Sequence, residues 1–254
     1  MKSIWNGSIS FGLVNIPVKL YSAIESKEFK FRMLDEKTLS PIKYKRVAEK
    51  TGEEVAWKSI VKGIELKKGQ YFIPTKEQLK AIKPEKSDTI DIVEFVDQAQ
   101  VDPVYVHGHY YVGPAKEKEK TYFLFNEILR LTNRTAIGRF VMREKEYVCT
   151  ITSYREGLLL TTLNYAYEIR DIRKVDNIAN APKIQQAELE LAEELIKRLY
   201  KKKFDMEQFK DTFAEEMEKL LKKAAKGETI EAVAMVKKPK KEDNLIAALK
   251  ASLD

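Results

Sequence analysis

The sequence predicts a β-rich α+β protein, and three observations carry that prediction. From about residue 4 to about residue 172, short apolar and β-branched runs recur between Gly, Pro and charged pairs, the punctuation of an all-β domain. One helical period interrupts them near residues 120–132. After residue 171 the character changes to helical. The expected organisation is a β-rich core over residues 1–175, a helical arm over 176–236, and a basic linker with a short amphipathic tail over 237–254.

In chain order, residues 8–22 read as strands broken near Gly12 and Pro17. Residues 43–47 read as an alternating strand, with turns at 51–53 and at Lys68 and Gly69, the latter leading into a strand at 71–73. Residues 89–95 and 105–112 are two further strands. The helix at 120–132 places Phe123, Leu124, Ile128, Leu129 and Leu131 on its apolar face, and Asn133 closes it as a left-handed cap. A meander follows: 136–143, a turn at Glu144 and Lys145, 146–153, a turn at 155–157, and 158–163. Helices are expected over 184–203 and 205–226, the second ended by Gly227. Residues 228–236 are strand-like, and 244–253 form an amphipathic helix presenting Leu245, Ile246, Leu249 and Leu253.

Bulk composition narrows the function. No run approaches the roughly 20 apolar residues of a membrane span, and Asn6, Gly7, Ser8 and Ser10 break up the N-terminus too early for a signal peptide. A single cysteine, Cys149, excludes an intrachain disulfide and a cysteine-based metal site, so cytoplasmic residence is expected. Net charge is +7 and unevenly spread. Residues 1–50 hold ten Lys/Arg against five Asp/Glu and residues 121–175 hold nine against six, whereas residues 176–236 hold eleven against thirteen. A basic β-rich part beside an acidic helical part points to a polyanion-binding face and a separate partner-binding part.

Signatures of catalysis are missing: no phosphate-cradling glycine loop, nucleophile elbow or HExxH. His107 and His109 would point to one face of a strand, but no third soft ligand accompanies them, and neither metal nor cofactor is expected. Two segments interleave basic and aromatic residues. In 43–46, Lys43 and Lys45 would share one strand face, and Tyr44 and Arg46 the other. In 139–143, Arg139 and Arg143 would share a face while Phe140 and Met142 pack inward, with Arg134 just ahead. Such a face can lie along a phosphate backbone and give salt-dependent affinity without sequence readout; a merely solvated face is the competing reading.

Several fragments together resemble the Ku family of DNA end-binding proteins in its short prokaryotic form. They are Trp5, Gly7, Ile9, Phe11, Gly12, Leu13, Val14, Ile16, Pro17, Val18, Leu20 and Tyr21; PIKYKRV at 41–47; GEEV at 52–55; IVKG at 60–63; Ile90, Asp91, Ile92 and Phe95; Asp102 and Pro103; Tyr110 and Tyr111; Pro114; AIGRFVMR at 136–143; and NLIAALKASL at 244–253. The resemblance implies a β-barrel core, a helical C-terminal arm and a homodimer forming a ring around duplex DNA. It implies a non-enzymatic protein that holds double-stranded DNA ends, associates with the nucleoid and recruits an ATP-dependent DNA ligase of the ligase D type. Carried over by position, the DNA-binding residues would be Lys45, Arg46, Lys62, Arg134, Arg139 and Arg143, and the ligase-binding residues Leu245, Ile246, Leu249 and Leu253. Some relatives carry cysteines near 39–52; this chain has none there, so no zinc is expected. Many relatives extend into a long lysine-rich tail; with only Lys237, Lys238, Lys240 and Lys241 near the end here, tail-mediated sliding or bridging of DNA is not expected. The rival classes are a basic β-rich RNA-binding or ribosome-associated protein and a hydrolase with an unrecognised carboxylate site.

Overall fold

Trp5–Phe11 (β1) and Val14–Ser22 (β2) form an antiparallel hairpin that turns at Gly12, whose φ is 57°. In the computed structural model, which describes residues 1–82, 87–116 and 119–227, this hairpin opens a closed seven-stranded barrel. Ile64–Lys67 (β3) and Gln70–Phe72 (β4) form a separate two-stranded sheet, followed by Lys76–Ile82 (α1). Thr89–Asp97 (β5), Val106–Pro114 (β6), Arg134–Met142 (β7), Lys145–Tyr154 (β8) and Gly157–Leu163 (β9) complete the barrel in the order β1-β2-β6-β9-β8-β7-β5. Closure is by a short parallel seam, with Ser8, Ile9 and Ser10 of β1 opposite Thr89, Ile90 and Asp91 of β5. A closed sheet leaves no unpaired edge within the barrel.

Alternation sets the core. Along β7, Ala136, Gly138, Phe140 and Met142 are buried while Arg139 is exposed. Ile9, Ile16, Val18, Leu20, Ile90, Cys149, Ile151 and Leu160 complete an apolar interior. Glu119–Thr132 (α2) packs into it, and Asn133, with φ 51°, ends the helix as expected. The face that α2 buries differs from the one its apolar count predicted. Tyr122, Phe125, Asn126 and Leu129 are buried, at i, i+3, i+4 and i+7. Phe123, Leu124, Ile128 and Leu131 stay exposed. The Tyr122 hydroxyl decides the matter: it donates to the Val112 carbonyl at 2.6 Å and accepts from the Leu158 N–H at 3.0 Å, joining α2 to β6 and β9. Each such bond contributes about 1 kcal/mol net, and orphaning its buried partners would cost more.

Three other expectations need correction. Pro17 does not break a strand but lies within β2, opposite Ser8. Its carbonyl accepts from the Ala115 N–H at 3.0 Å, so its nitrogen faces the end of β6 and the β1 ladder loses no donor. Residues 43–47 form no strand; Val47 makes only an isolated bridge to Glu54. The β7–β8 turn falls at Arg143 and Glu144, with φ 53° and 67°, rather than at Glu144 and Lys145. Positive φ at both central residues is the twist that a two-residue hairpin needs.

The described residues divide into two compact units, one of Met1–Lys27 and Phe31–Arg170, the other of Glu28–Lys30 and the described residues from Asp171 onward. In the second, Gln186–Leu199 (α3) starts at a capping box in which Glu188 accepts from the Gln185 N–H at 2.8 Å. Thr212–Ala225 (α4) starts later than expected because Asp211 caps it, accepting from the Ala214 N–H at 2.9 Å. Phe29 packs edge-on against Phe213, yet neither α3 nor α4 buries a residue. The expected strand at 228–236 and helix at 244–253 lie outside the described residues.

Candidate nucleic-acid interface

The basic residues singled out from the sequence occupy two parts of the first unit. Arg134 opens β7 opposite Asp97 of β5, and their side chains form an ion pair. Arg139 sits mid-strand on the outward face, between Asp91 on β5 and Val148 on β8. Arg143 is in the turn, so it leaves the strand face it was expected to share with Arg139. Phe140 and Met142 do pack inward.

The other three lie in the segment between β2 and β5, and all are exposed. Residues 46–57 fold on themselves: Val55 donates to the Arg46 carbonyl at 2.8 Å and Ala48 to the Glu53 carbonyl at 2.9 Å, around Gly52 at φ 69°. Within this loop Lys45 pairs with Glu54 at 3.0 Å, and the Arg46 guanidinium stands 4.8 Å from the Trp57 ring centre. Without a strand, the expected separation of Lys43 and Lys45 from Tyr44 and Arg46 onto two faces does not arise. Lys62 precedes β3 and has no ion pair among the described residues. Exposed pairs of this kind contribute about 0–1 kcal/mol, so the cations are little committed to the fold.

A further cluster went unread in the sequence. Arg130, Asn133, Arg134 and Arg155 line a cleft of about 200 Å³ at one end of the barrel. Arg155 belongs to the β8–β9 turn, where its charge was hidden behind its role as a turn residue. Its signal was the spacing of basic residues on either side of α2 and β7, visible only once the turn is closed.

Groups that could do chemistry are otherwise engaged. The His109 ring nitrogen Nδ1 lies 3.0 Å from the Thr161 hydroxyl, while His107 sits 6.5 Å from the Tyr147 ring. The ladder shifts register between Val106 and Gly108, so the strict alternation assumed for the two histidines fails there. Asp102 accepts from the Val104 N–H at 2.9 Å. Glu193 pairs with Lys197 at 2.6 Å. Among the described residues no group of three or more His, Cys, Asp or Glu could hold a metal, and no helix is long and apolar enough to cross a membrane.

Burial pushes the Cys149 thiol from its ordinary 9.0 up to about 12. A raised acid favours folding only while protonated: its contribution is present below pH 9 and is lost as pH climbs toward 12. At pH 8 the native thiol should therefore resist alkylation by iodoacetamide for hours and react at once in denaturant. Rapid modification of the folded protein, followed by mass spectrometry, would contradict the burial.

The family model of the Ku70/Ku80 beta-barrel domain matches residues 10–191, which include the end of β1 and all six other strands of the closed barrel. The chain belongs to the Ku family. It is 38% identical over 254 residues to the non-homologous end joining protein Ku of Archaeoglobus fulgidus, covering 100% of this chain and 99% of that one. It is 36% identical over 258 residues to the protein of the same name from Bacillus subtilis, covering 100% and 82%. The protein of that name from Opitutus terrae is 34% identical, over 100% and 92% of the two chains. The Ku barrel and the β-rich α+β class expected from the sequence are thus both present.

Proposed function

We propose that this Ku-family protein binds the ends of double-stranded DNA as a homodimer, has no catalytic activity of its own, and recruits an ATP-dependent DNA ligase of the ligase D type in end joining. One observation carries the reading: near end-to-end similarity to relatives whose name is non-homologous end joining protein Ku. Lys45, Arg46, Lys62, Arg134, Arg139 and Arg143 would supply phosphate contacts, and all are exposed. Contacts to phosphate alone bind any sequence. Preference for ends then requires a topological cause, and a ring threaded by the duplex supplies one.

Unburied apolar surface supports the dimer. Between β2 and β5, Phe31, Met33, Tyr44, Trp57, Val61 and Tyr71 are each at least 60% exposed. Apolar surface on that scale marks an interaction face rather than ordinary decoration. The strand pair β3–β4 has no buried residue, and two strands alone are marginal in water. Reading the protein as confined to the cytoplasm, at the nucleoid, follows from the DNA it would hold.

The ligase role rests on the resemblance of residues 244–253 to the family's ligase-engaging segment, with Leu245, Ile246, Leu249 and Leu253 as contacts. Deleting residues 237–254 should abolish stimulation of the ligase while end binding stays intact. Undiminished stimulation would refute that role. In the same binding assay, displacement of duplex by structured RNA at equal concentration would replace the whole reading by an RNA-binding one.

A further inference from the structure

The cleft at the end of the barrel is built as an anion site. Arg130, Arg134 and Arg155 line it, together with Gln98, Asn133, Thr152 and Ser153; among the described residues no Asp or Glu does. Carboxylates act from outside the lining. Glu127 grips Arg130 with two hydrogen bonds of 3.0 and 2.6 Å, and Asp97 holds Arg134. Arg155 has no ion pair among the described residues; its guanidinium carbon lies 5.3 Å from the Tyr154 ring centre. Guanidinium groups bind phosphate oxygens through paired, charge-assisted hydrogen bonds, and exposed ion pairs this weak leave them available for it.

A second cavity of about 230 Å³ adjoins the first, sharing Gln98 and Thr152. Thr135, Thr150, Thr161 and His109 line it, with Val101 and Pro103 from the β5–β6 connection. Thr150 and Thr161 are 5% and 7% exposed, so what little of them is open faces this cavity. Val106 and Leu159 also line the chamber, so a basic mouth joined to a part-apolar, part-hydroxyl chamber matches a ligand with a charged end and an amphiphilic body such as a nucleoside.

We propose that this double cleft binds a phosphorylated sugar, with the phosphate on Arg130, Arg134 and Arg155 and the sugar in the threonine-lined chamber. Two sources share that chemistry: a free nucleoside monophosphate, and the 5′-phosphorylated terminal nucleotide of a DNA strand. The second source rests on the end-binding reading above. The two cavities together reach the lower range of small-ligand sites, roughly 300–1,000 Å³.

The full-length protein should be titrated calorimetrically with deoxyadenosine monophosphate and with deoxyadenosine, and offered duplexes of one sequence carrying 5′-phosphate or 5′-hydroxyl ends. Binding of the monophosphate but not the nucleoside is expected. Arg155→Gln should weaken it about tenfold, the worth of one charge-assisted contact. Thr152→Val, at a residue that lines both cavities, should weaken it about fivefold. A preference for the 5′-phosphorylated duplex that Arg155→Gln abolishes assigns the site to strand ends; monophosphate binding without that preference assigns it to the free nucleotide. The proposal is overturned if neither the monophosphate nor the 5′-phosphate is preferred, or if both variants bind as the parent does. Failure to bind any linear duplex, with monophosphate binding retained, would sink the end-binding reading and leave this site standing.

Discussion

Gly7→Ala is expected to cost about 3 kcal/mol and lower the melting temperature by about 10 °C, the upper end of overpacking effects in a domain of this size. A Cβ built on Gly7 would stand 2.1 Å from the Asp88 carbonyl oxygen and 2.3 Å from the Trp5 ring. Neither neighbour can retreat cheaply. The Asp88 carbonyl accepts from the Ser8 N–H at 2.9 Å, immediately before the parallel seam that closes the barrel. Trp5 donates its indole N–H to the Val141 carbonyl at 3.1 Å and packs edge-on against Phe140 at 5.8 Å. Gly12→Ala is the control. Nothing lies within 4 Å of its Cβ position, so only the left-handed φ of 57° is penalised, by about 1 kcal/mol. Equal melting temperatures for the two variants, followed by circular dichroism, would show that the seam does not depend on the close approach at Gly7.

Arg139→Ala is expected to lower affinity for duplex DNA and to reduce the slope of log K against log salt by about 1, the signature of one lost phosphate contact. Arg139 is the residue of the set best placed for this, outward on a central strand whose opposite face is anchored by Phe140 and Met142. Arg143→Ala tests a different geometry. Its position in the turn, beside Lys145 and Tyr147 in a cation–π contact of 5.2 Å, lets it reach a phosphate independently of the strand face. If both residues touch DNA, the double variant should lose about 2 from the slope. A slope unchanged in either single variant clears that residue of phosphate contact, whatever happens to the affinity.

The parts of the fold legible in sequence are those whose partners are close in the chain. The β7–β8–β9 meander followed from local alternation and two short turns, and only the position of the first turn slipped by one residue. The parallel pairing of β1 with β5 joins residues some eighty positions apart and leaves no local mark, so barrel closure could enter only through the family resemblance. On α2, counting apolar residues found Leu129 but misplaced the rest of the face, because a tyrosine hydroxyl and Asn126, not Phe123 or Leu124, turn toward the barrel. Residues 43–47 have the composition of a strand but, among the described residues, no neighbour to pair with beyond one bridge. For the candidate interface, strand period located Arg139 well, whereas Arg143 depended on turn geometry. Arg155 joined Arg134 only through folding, since twenty residues and a hairpin separate them.

The proposed preference for ends is topological: a closed ring can load only where the duplex stops. The most direct test is binding of one DNA sequence as a linear duplex and as a covalently closed circle, at several salt concentrations. Tight binding to the linear form, with the circle bound only weakly and equally poorly along its whole length, is the predicted result. Equal affinity for the two forms at every salt concentration would contradict it.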